Sequence, residues 1–172
     1  MHQSPSRTLL EHWNEIRVGQ EFALREDIRP QKLGKALPLI LVIVRDGTDF
    51  RFRLAGTSIC AFFGRELRDE AFSAFWQDES AGLANAAALQ ALEQRSPICF
   101  HLAMETHGSS VAASLLLLPL ATNQGLPDRL IGALELNALA EQRILNEGLT
   151  GIRLIMATKN LLPSTCRMSS TV

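Results

Sequence analysis

Five stretches of this 172-residue chain have the length and composition of β-strands, and they come in two kinds. Along residues 50–55, Phe50, Phe52 and Leu54 point one way while Asp49, Arg51 and Arg53 point the other. Residues 98–106 repeat the pattern, with Ile98, Phe100, Leu102 and Met104 opposed to Cys99, His101, Ala103 and Glu105. Residues 39–45, 111–120 and 129–136 are apolar on both faces ("LILVIV", "SLLLLPL", "LIGALEL"). A strand that hides both faces belongs in the covered middle of a sheet, and half-polar strands suit its rims. The pattern predicts the strand order 2-1-5-4-3, with the second and third strands at the edges. It also demands cover on both faces of the middle.

Helical periodicity supplies that cover. Residues 4–18 open with Ser4-Pro5, carry Thr8 and Glu11 at capping-box spacing, and place Leu9, Leu10, Trp13 and Ile16 on one face. This helix can lie on one side of the sheet as a lid, a job that a second copy of the chain could share. A short helix over 58–63 and an Ala-rich one over 79–95 can cover the other side. Asp78 is the expected N-cap of the longer helix, and Ser96-Pro97 its stop. Between these two helices lies an aromatic stretch, Phe72, Phe75 and Trp76. Asp46-Gly47 marks a hairpin between the first two strands. Residues 19–38 read as a connection with a helical turn near 31–37. The stretch 138–162 reads two ways: Leu139, Arg143, Ile144 and Glu147 fit a helix ending at Gly148, whereas Ile152, Leu154 and Met156 alternate like a strand. Residues 163–172 are expected to form a disordered tail.

Composition narrows the function classes. A net charge of −1 and a pI of about 6.4 give no basic field for nucleic acid or an anionic membrane. The longest apolar run, residues 36–44, is too short for a membrane span, which takes roughly 20 residues. The N-terminus lacks a basic-then-apolar leader. Three widely spaced cysteines, Cys60, Cys99 and Cys166, predict no disulfide framework. The expectation is a soluble, cytoplasmic, single-domain chain.

A Trp-bearing N-terminal helix and then a ββ-αα-βββ order resemble the PAS family of sensory domains, and in particular a bacterial subgroup. The residues that carry the resemblance are Trp13, Leu37-Pro38, residues 50–57 ("FRFRLAGT"), residues 63–67 ("FGREL"), residues 116–120 ("LLLPL") and residues 131–134 ("IGAL"). They span about three quarters of the chain. The resemblance implies an α+β fold: a five-stranded antiparallel sheet of order 2-1-5-4-3, helices on one face and the N-terminal helix on the other. Residues 1–18 would be the N-terminal cap or dimer helix, 19–137 the PAS-like domain and 138–162 a C-terminal extension. It further implies a cavity beneath the helices, dimerisation through the N-terminal helix, and sensing of a ligand, cofactor or partner.

The residues with chemistry are few. Phe52, Leu54, Ile59, Phe62, Phe63, Phe72, Trp76, Leu83, Phe100 and Leu102 form the expected core or pocket wall, which would suit an apolar or aromatic ligand. Glu135 interrupts an apolar strand, and is either a pocket group, with Arg51 or Arg53 as its partner, or a carboxylate where the sheet meets water. Cys60 reads as a packed structural thiol, because the reactive-Cys motif of flavin-binding relatives is absent. His101, Glu105 and His107 share a strand face, but His101 and Glu105 are about 13 Å apart at ~3.3 Å per residue, too far for one metal ion. No histidine falls on the pocket-side helices, so His-ligated haem is not expected, and flavin is not either.

Taken together, the chain reads as a stand-alone sensory or signalling domain, not an enzyme. It would bind a small apolar ligand or a signalling protein partner, form a homodimer through residues 5–18, and transmit binding by repacking its helices. Two other classes compete. A small cone-fold isomerase or dehydratase would need a polar catalytic pair in its cavity, and the chain has no Tyr. A ligand-free adaptor would have a filled core.

Overall fold

The computed structural model describes residues 3–159, so the expected tail 163–172 lies outside the described residues. Helix α1 (Pro5–Arg17) is followed by a 3-10 turn (Arg25–Asp27) and by α2 (Pro30–Leu33), which runs into a second 3-10 turn (Gly34–Leu39). Strands β1 (Ile40–Asp46) and β2 (Asp49–Ala55) form a hairpin turning at Gly47, whose φ of 65° suits glycine. Then come α3 (Thr57–Phe63), a 3-10 turn (Phe72–Phe75), α4 (Ser80–Gln94), β3 (Ile98–Thr106), β4 (Ser110–Ala121), β5 (Pro127–Glu135), α5 (Ala138–Glu147) and β6 (Leu149–Lys159).

All strand pairs are antiparallel, in the order β2-β1-β5-β4-β3-β6. The expected order 2-1-5-4-3 is present, and a sixth strand extends it. The two readings of 138–162 both apply in sequence, with α5 first and then β6 to Lys159, the last of the described residues. The third strand is therefore interior, which corrects its placement at the rim. Its polar alternation has another origin: α1 packs on β4 and β5, so on the outer face of β3 the helix does not enclose His101 and Glu105, which are half-exposed, whereas Cys99 and Ala103 on the same face are buried.

The two faces of the sheet build two separate cores. On the inner face, Leu41, Ile43, Phe50, Phe52, Leu130 and Leu134 pack with α3, α4 and the aromatic connection. On the outer face, Leu9 and Trp13 of α1 cover Ile40, Leu116, Leu118, Ile131 and Ala133. Leu10 and Ile16 flank this layer, half-buried. Burying Leu9 and Trp13 in this way withdraws apolar area from water at about 25 cal/mol per Å².

Local chemistry sets the element ends. Ser4 caps α1 by accepting from the Arg7 amide, with Pro5 at the first helical position. Thr8 and Glu11 are thus interior, and the capping box placed on them is corrected. Asp78 is not the cap of α4 either: it takes a φ of 50°, and the helix starts at Ser80 behind Glu79. At its far end Arg95 adopts the left-handed conformation, and the Arg95 and Ser96 amides close the helix onto the Leu92 and Ala91 carbonyls.

Two residues expected in the inner core lie outside it. The register of β2 on β1 slips between Val42 and Ile43, so that Arg53 is an extra residue. Phe52 pairs with core-facing Ile43, but Leu54 pairs with outward-facing Val42 and is 48% exposed. Leu83 precedes by one residue the stripe that α4 buries, Ala84, Ala88, Ala91 and Leu92, and so points to solvent, 63% exposed. Cys99, buried on β3, is a disulfide cysteine and not a free thiol, which corrects the reading of the cysteines. Cys60 is free.

Candidate functional site: the aromatic layer under the helices

The alternation of β2 places Phe50 and Phe52 on the inner face, and β3 adds Phe100 and Leu102. Opposite them, the connection between α3 and α4 delivers Phe72, Phe75 and Trp76. The rings interlock. Phe72 meets Phe50 edge-on at 6.3 Å and Phe52 at 5.9 Å between centroids. Trp76 stands edge-on to Phe72, Phe75 and Phe100 at 5.7, 5.2 and 5.6 Å. These are preferred aromatic geometries, each worth about 0.5–1.5 kcal/mol beyond area burial. Ile59 and Phe62 of α3 close the layer from above, and Phe63 leans on Phe75 at 5.3 Å, half-buried. The chain's own side chains occupy the space between sheet and helices.

Small residues make this packing possible. The alanine stripe of α4 lets its backbone approach the rings closely. The signal for it was the spacing of Ala84, Ala88 and Ala91; Phe50 and Phe75 could have been found from the same face and the same stretch as Phe52 and Phe72. Ile152 and Leu154 of β6 complete the wall, and only a strand reading of 149–159 would have supplied them.

Residues 69–80 bridge both edges of the sheet. At the β2 edge, the Asp69 amide donates to the Phe52 carbonyl and the Phe52 amide to the Glu70 carbonyl, both at 2.9 Å. At the β6 edge, the Gln77 amide donates to the Ile152 carbonyl at 2.8 Å, and the Leu154 amide to Ser80 Oγ at 3.0 Å. Asp69 and Asp78, near the two ends, both have positive φ. The Trp76 indole N–H inside this span is buried, with no hydrogen-bond partner among the described residues.

The polar candidates are placed elsewhere. Glu135 lies on the outer face with Ile131 and Ala133, where it accepts from the Ser6 amide at 3.4 Å. It is not a group of the aromatic layer, because odd-numbered residues of β5 face α1 and even-numbered ones the inner core. Arg51 instead pairs with Asp46 at 2.7 Å, and Arg53 is exposed. Glu105 pairs with Arg153 of β6 at 2.7 Å. His12 is buried in the α1 layer and accepts from the Arg29 amide, His101 is on the outer face, and His107 is exposed on the β3–β4 hairpin. Burial pushes the Cys60 thiol above its ordinary value, and the Glu66 carboxylate pushes it further. Among the described residues, no three His, Cys, Asp or Glu side chains group as metal ligands, and no helix is long and apolar enough to cross a membrane.

A curled antiparallel sheet with an aromatic layer beneath its helices defines the class, a small α+β domain. The sequence is more specific. The model of the PAS domain family matches residues 1–135, and the chain belongs to that family. PAS domains are generally sensory or signalling modules. Helix α5 and strand β6 lie beyond the matched residues. Similar solved structures include the light-state Aureochrome1 LOV domain (10% identity, 64% of this chain and 91% of that chain, TM-score 0.47). A light-oxygen-voltage domain studied with a flavin analogue is 17% identical, over 67% of this chain and 90% of that one, with the same TM-score of 0.47. The PAS domain of Bordetella pertussis BvgS is 16% identical over 62% and 84%, again with a TM-score of 0.47. No curated protein matches the sequence.

Proposed function

We propose that this chain is a PAS signalling module that acts through protein contact, with its interior filled by its own aromatic side chains. The observation that carries the reading is the interlocked set of Phe72, Phe75, Trp76 and Phe100 in the space between sheet and helices. Signal transfer then consists of a shift in how the 69–80 span and the helices pack on the sheet, biased by the partner. Neither flavin nor His-ligated haem has a place in this reading, since the histidines lie off the aromatic layer and the chain's own rings occupy it. The domain would act without catalysing a reaction. Self-association would use a surface other than the Leu9–Trp13 face, because α1 has already spent that face on its own sheet.

A second reading has one specific support. The Trp76 indole N–H, unpartnered among the described residues, is a buried donor, and an apolar ligand with one acceptor atom would satisfy it after the rings repack. Native mass spectrometry against denaturing mass spectrometry, with an absorbance scan through the near ultraviolet and visible, separates the two. Protein contact predicts the bare chain mass and no chromophore. A mass lost on denaturation would favour the ligand reading.

A further inference from the structure

The three cysteines of the chain are not alike. Cys60 is free, on α3 at the inner side of the sheet. Cys99 is disulfide-bonded and 0% exposed, on the outward face of β3 between Leu116 of β4 and Thr158 of β6. Such burial keeps its sulfur away from a second copy, so the bonded cysteine belongs to the same chain. Cys166, beyond the described residues, is the one cysteine left. Connectivity allows the pairing. Thr158 lies directly across from Cys99, and its hydroxyl donates to the Cys99 carbonyl at 3.4 Å. Cys166 follows Thr158 by eight residues. At ~3.3 Å per residue this is ample chain to turn back to the roughly 5.5–6 Å that separates the Cα atoms of a disulfide. Pro163-Ser164, between the two, has the composition of a turn.

This bond is not what holds the fold together. The buried residues of both cores fall between Leu9 and Ile152, so opening it leaves the sheet and helices packed. What it does hold is the end of β6, the edge strand outside β3. That strand is joined to α4 by Lys159 Nζ, which donates to Gln90 Oε1 at 2.6 Å. It is joined to the 69–80 span by the Leu154 amide, which donates to Ser80 Oγ. On the outward face beside Cys99, His101 is half-exposed and its cross-strand neighbour Met156 is 52% exposed.

We propose that Cys99 and Cys166 form a reversible redox tether, which in the oxidised chain holds residues 160–166 against the outward face of β3 and β6 and in the reduced chain lets them go. Opening takes a dithiol reductant. The Cys99–Cys166 S–S bond breaks, each sulfur ends as a thiol with one proton, and the two thiols of the reductant join as its own disulfide. Glutathione disulfide runs the step backward, and is itself reduced to two glutathione thiols. The proposal stands on the cysteines and does not depend on the protein-contact reading.

The test uses the full chain, oxidised with glutathione disulfide or reduced with dithiothreitol. Peptide mapping of the oxidised chain should find Cys99 linked to Cys166, with Cys60 joined to neither. In the folded, oxidised chain iodoacetamide should modify Cys60 alone. After reduction it should modify Cys99 and Cys166 as well, and in Cys166→Ser it should reach Cys99 without any reductant. Reduction should lower the Tm of the parent by about 5 °C or more and leave that of Cys166→Ser unchanged. A link from Cys99 to Cys60, a Cys99 link between two chains, or no link at all would overturn the pairing. Cys99 that stays inert after reduction, in a chain whose Cys166 is alkylated, would overturn the release.

Discussion

The Trp13 indole N–H donates to the carbonyl of Pro119, 2.9 Å away across the outer core. The bond ties α1 to β4 over 106 positions of sequence, and both residues belong to motifs that carried the family resemblance. The other tryptophan, Trp76, is equally enclosed but makes no such bond. Replacing each by Phe removes a similar volume, yet Trp13→Phe also strands a buried carbonyl. Trp13→Phe should therefore cost about 1–3 kcal/mol more than Trp76→Phe, as read from urea unfolding of the two variants.

Two other motif pieces meet at Gly56. A Cβ built there would sit 2.3 Å from the Pro38 carbonyl oxygen and 2.5 Å from that of Leu37. Its φ of −62° is ordinary, so the constraint is space alone, against backbone that cannot step aside. Gly56→Ala should destabilise by about 1–3 kcal/mol or more. Gly82, inside α4, has nothing within 4 Å of a built Cβ, and Gly82→Ala should stabilise by about 0.5–1 kcal/mol. Opposite signs in thermal unfolding check both.

At the junction of α5 with the β3–β4 hairpin, Glu147 accepts from the Thr106 hydroxyl and from Ser109 Oγ, the latter at 2.8 Å. The Thr106 bond, then the Ser109 bond, hold its carboxyl below the ordinary glutamate value of 4.5. A depressed folded-state value means that the ionised form is favoured by folding. The stabilisation is present above the unfolded value and fades as pH falls through the lower folded one. Glu147→Gln should therefore be less stable than the parent near neutrality and should approach it in acid. Urea midpoints measured from neutral pH downward would show a gap that closes; a gap that widened in acid would refute the assignment.

The β6 end of the 69–80 span depends on Ser80, whose hydroxyl accepts from the Leu154 amide. Ser80→Ala should cost about 0.5–1.5 kcal/mol. Hydrogen exchange at the Leu154 amide should quicken, while the Phe52 amide, bonded at the opposite edge, keeps its rate.

Much of this architecture was legible because hydrophobic periodicity reports which faces are covered. The doubly apolar strands 39–45, 111–120 and 129–136 became β1, β4 and β5, three adjacent strands of the sheet. The same signal misled at β3, where polar alternation marks the outer-face residues His101 and Glu105 that α1 does not enclose, not an edge. Leu54 was misplaced because an inserted residue flips alternation without altering the local pattern. Leu83 was misplaced because the buried stripe of α4 is built of alanines, and a leucine beside them outweighs them on any hydropathy count. Of the two readings of Glu135, the pocket one fails for a related reason, since alternation pairs residues with each other but does not say which face carries the aromatic layer; Glu135 lies half-buried on the other face, beside the Ser6 amide. The interlock of Trp76 with its neighbours was the least legible part, since it depends on how residues 69–80 cross the sheet.

The most direct measurement of the central claim is a xenon-pressurised crystal structure, because xenon enters dry apolar voids and leaves filled cores empty. A filled aromatic layer predicts no xenon among Phe52, Phe72, Trp76 and Phe100. A well-occupied xenon site there would show a standing cavity, and with it an interior kept open for a ligand.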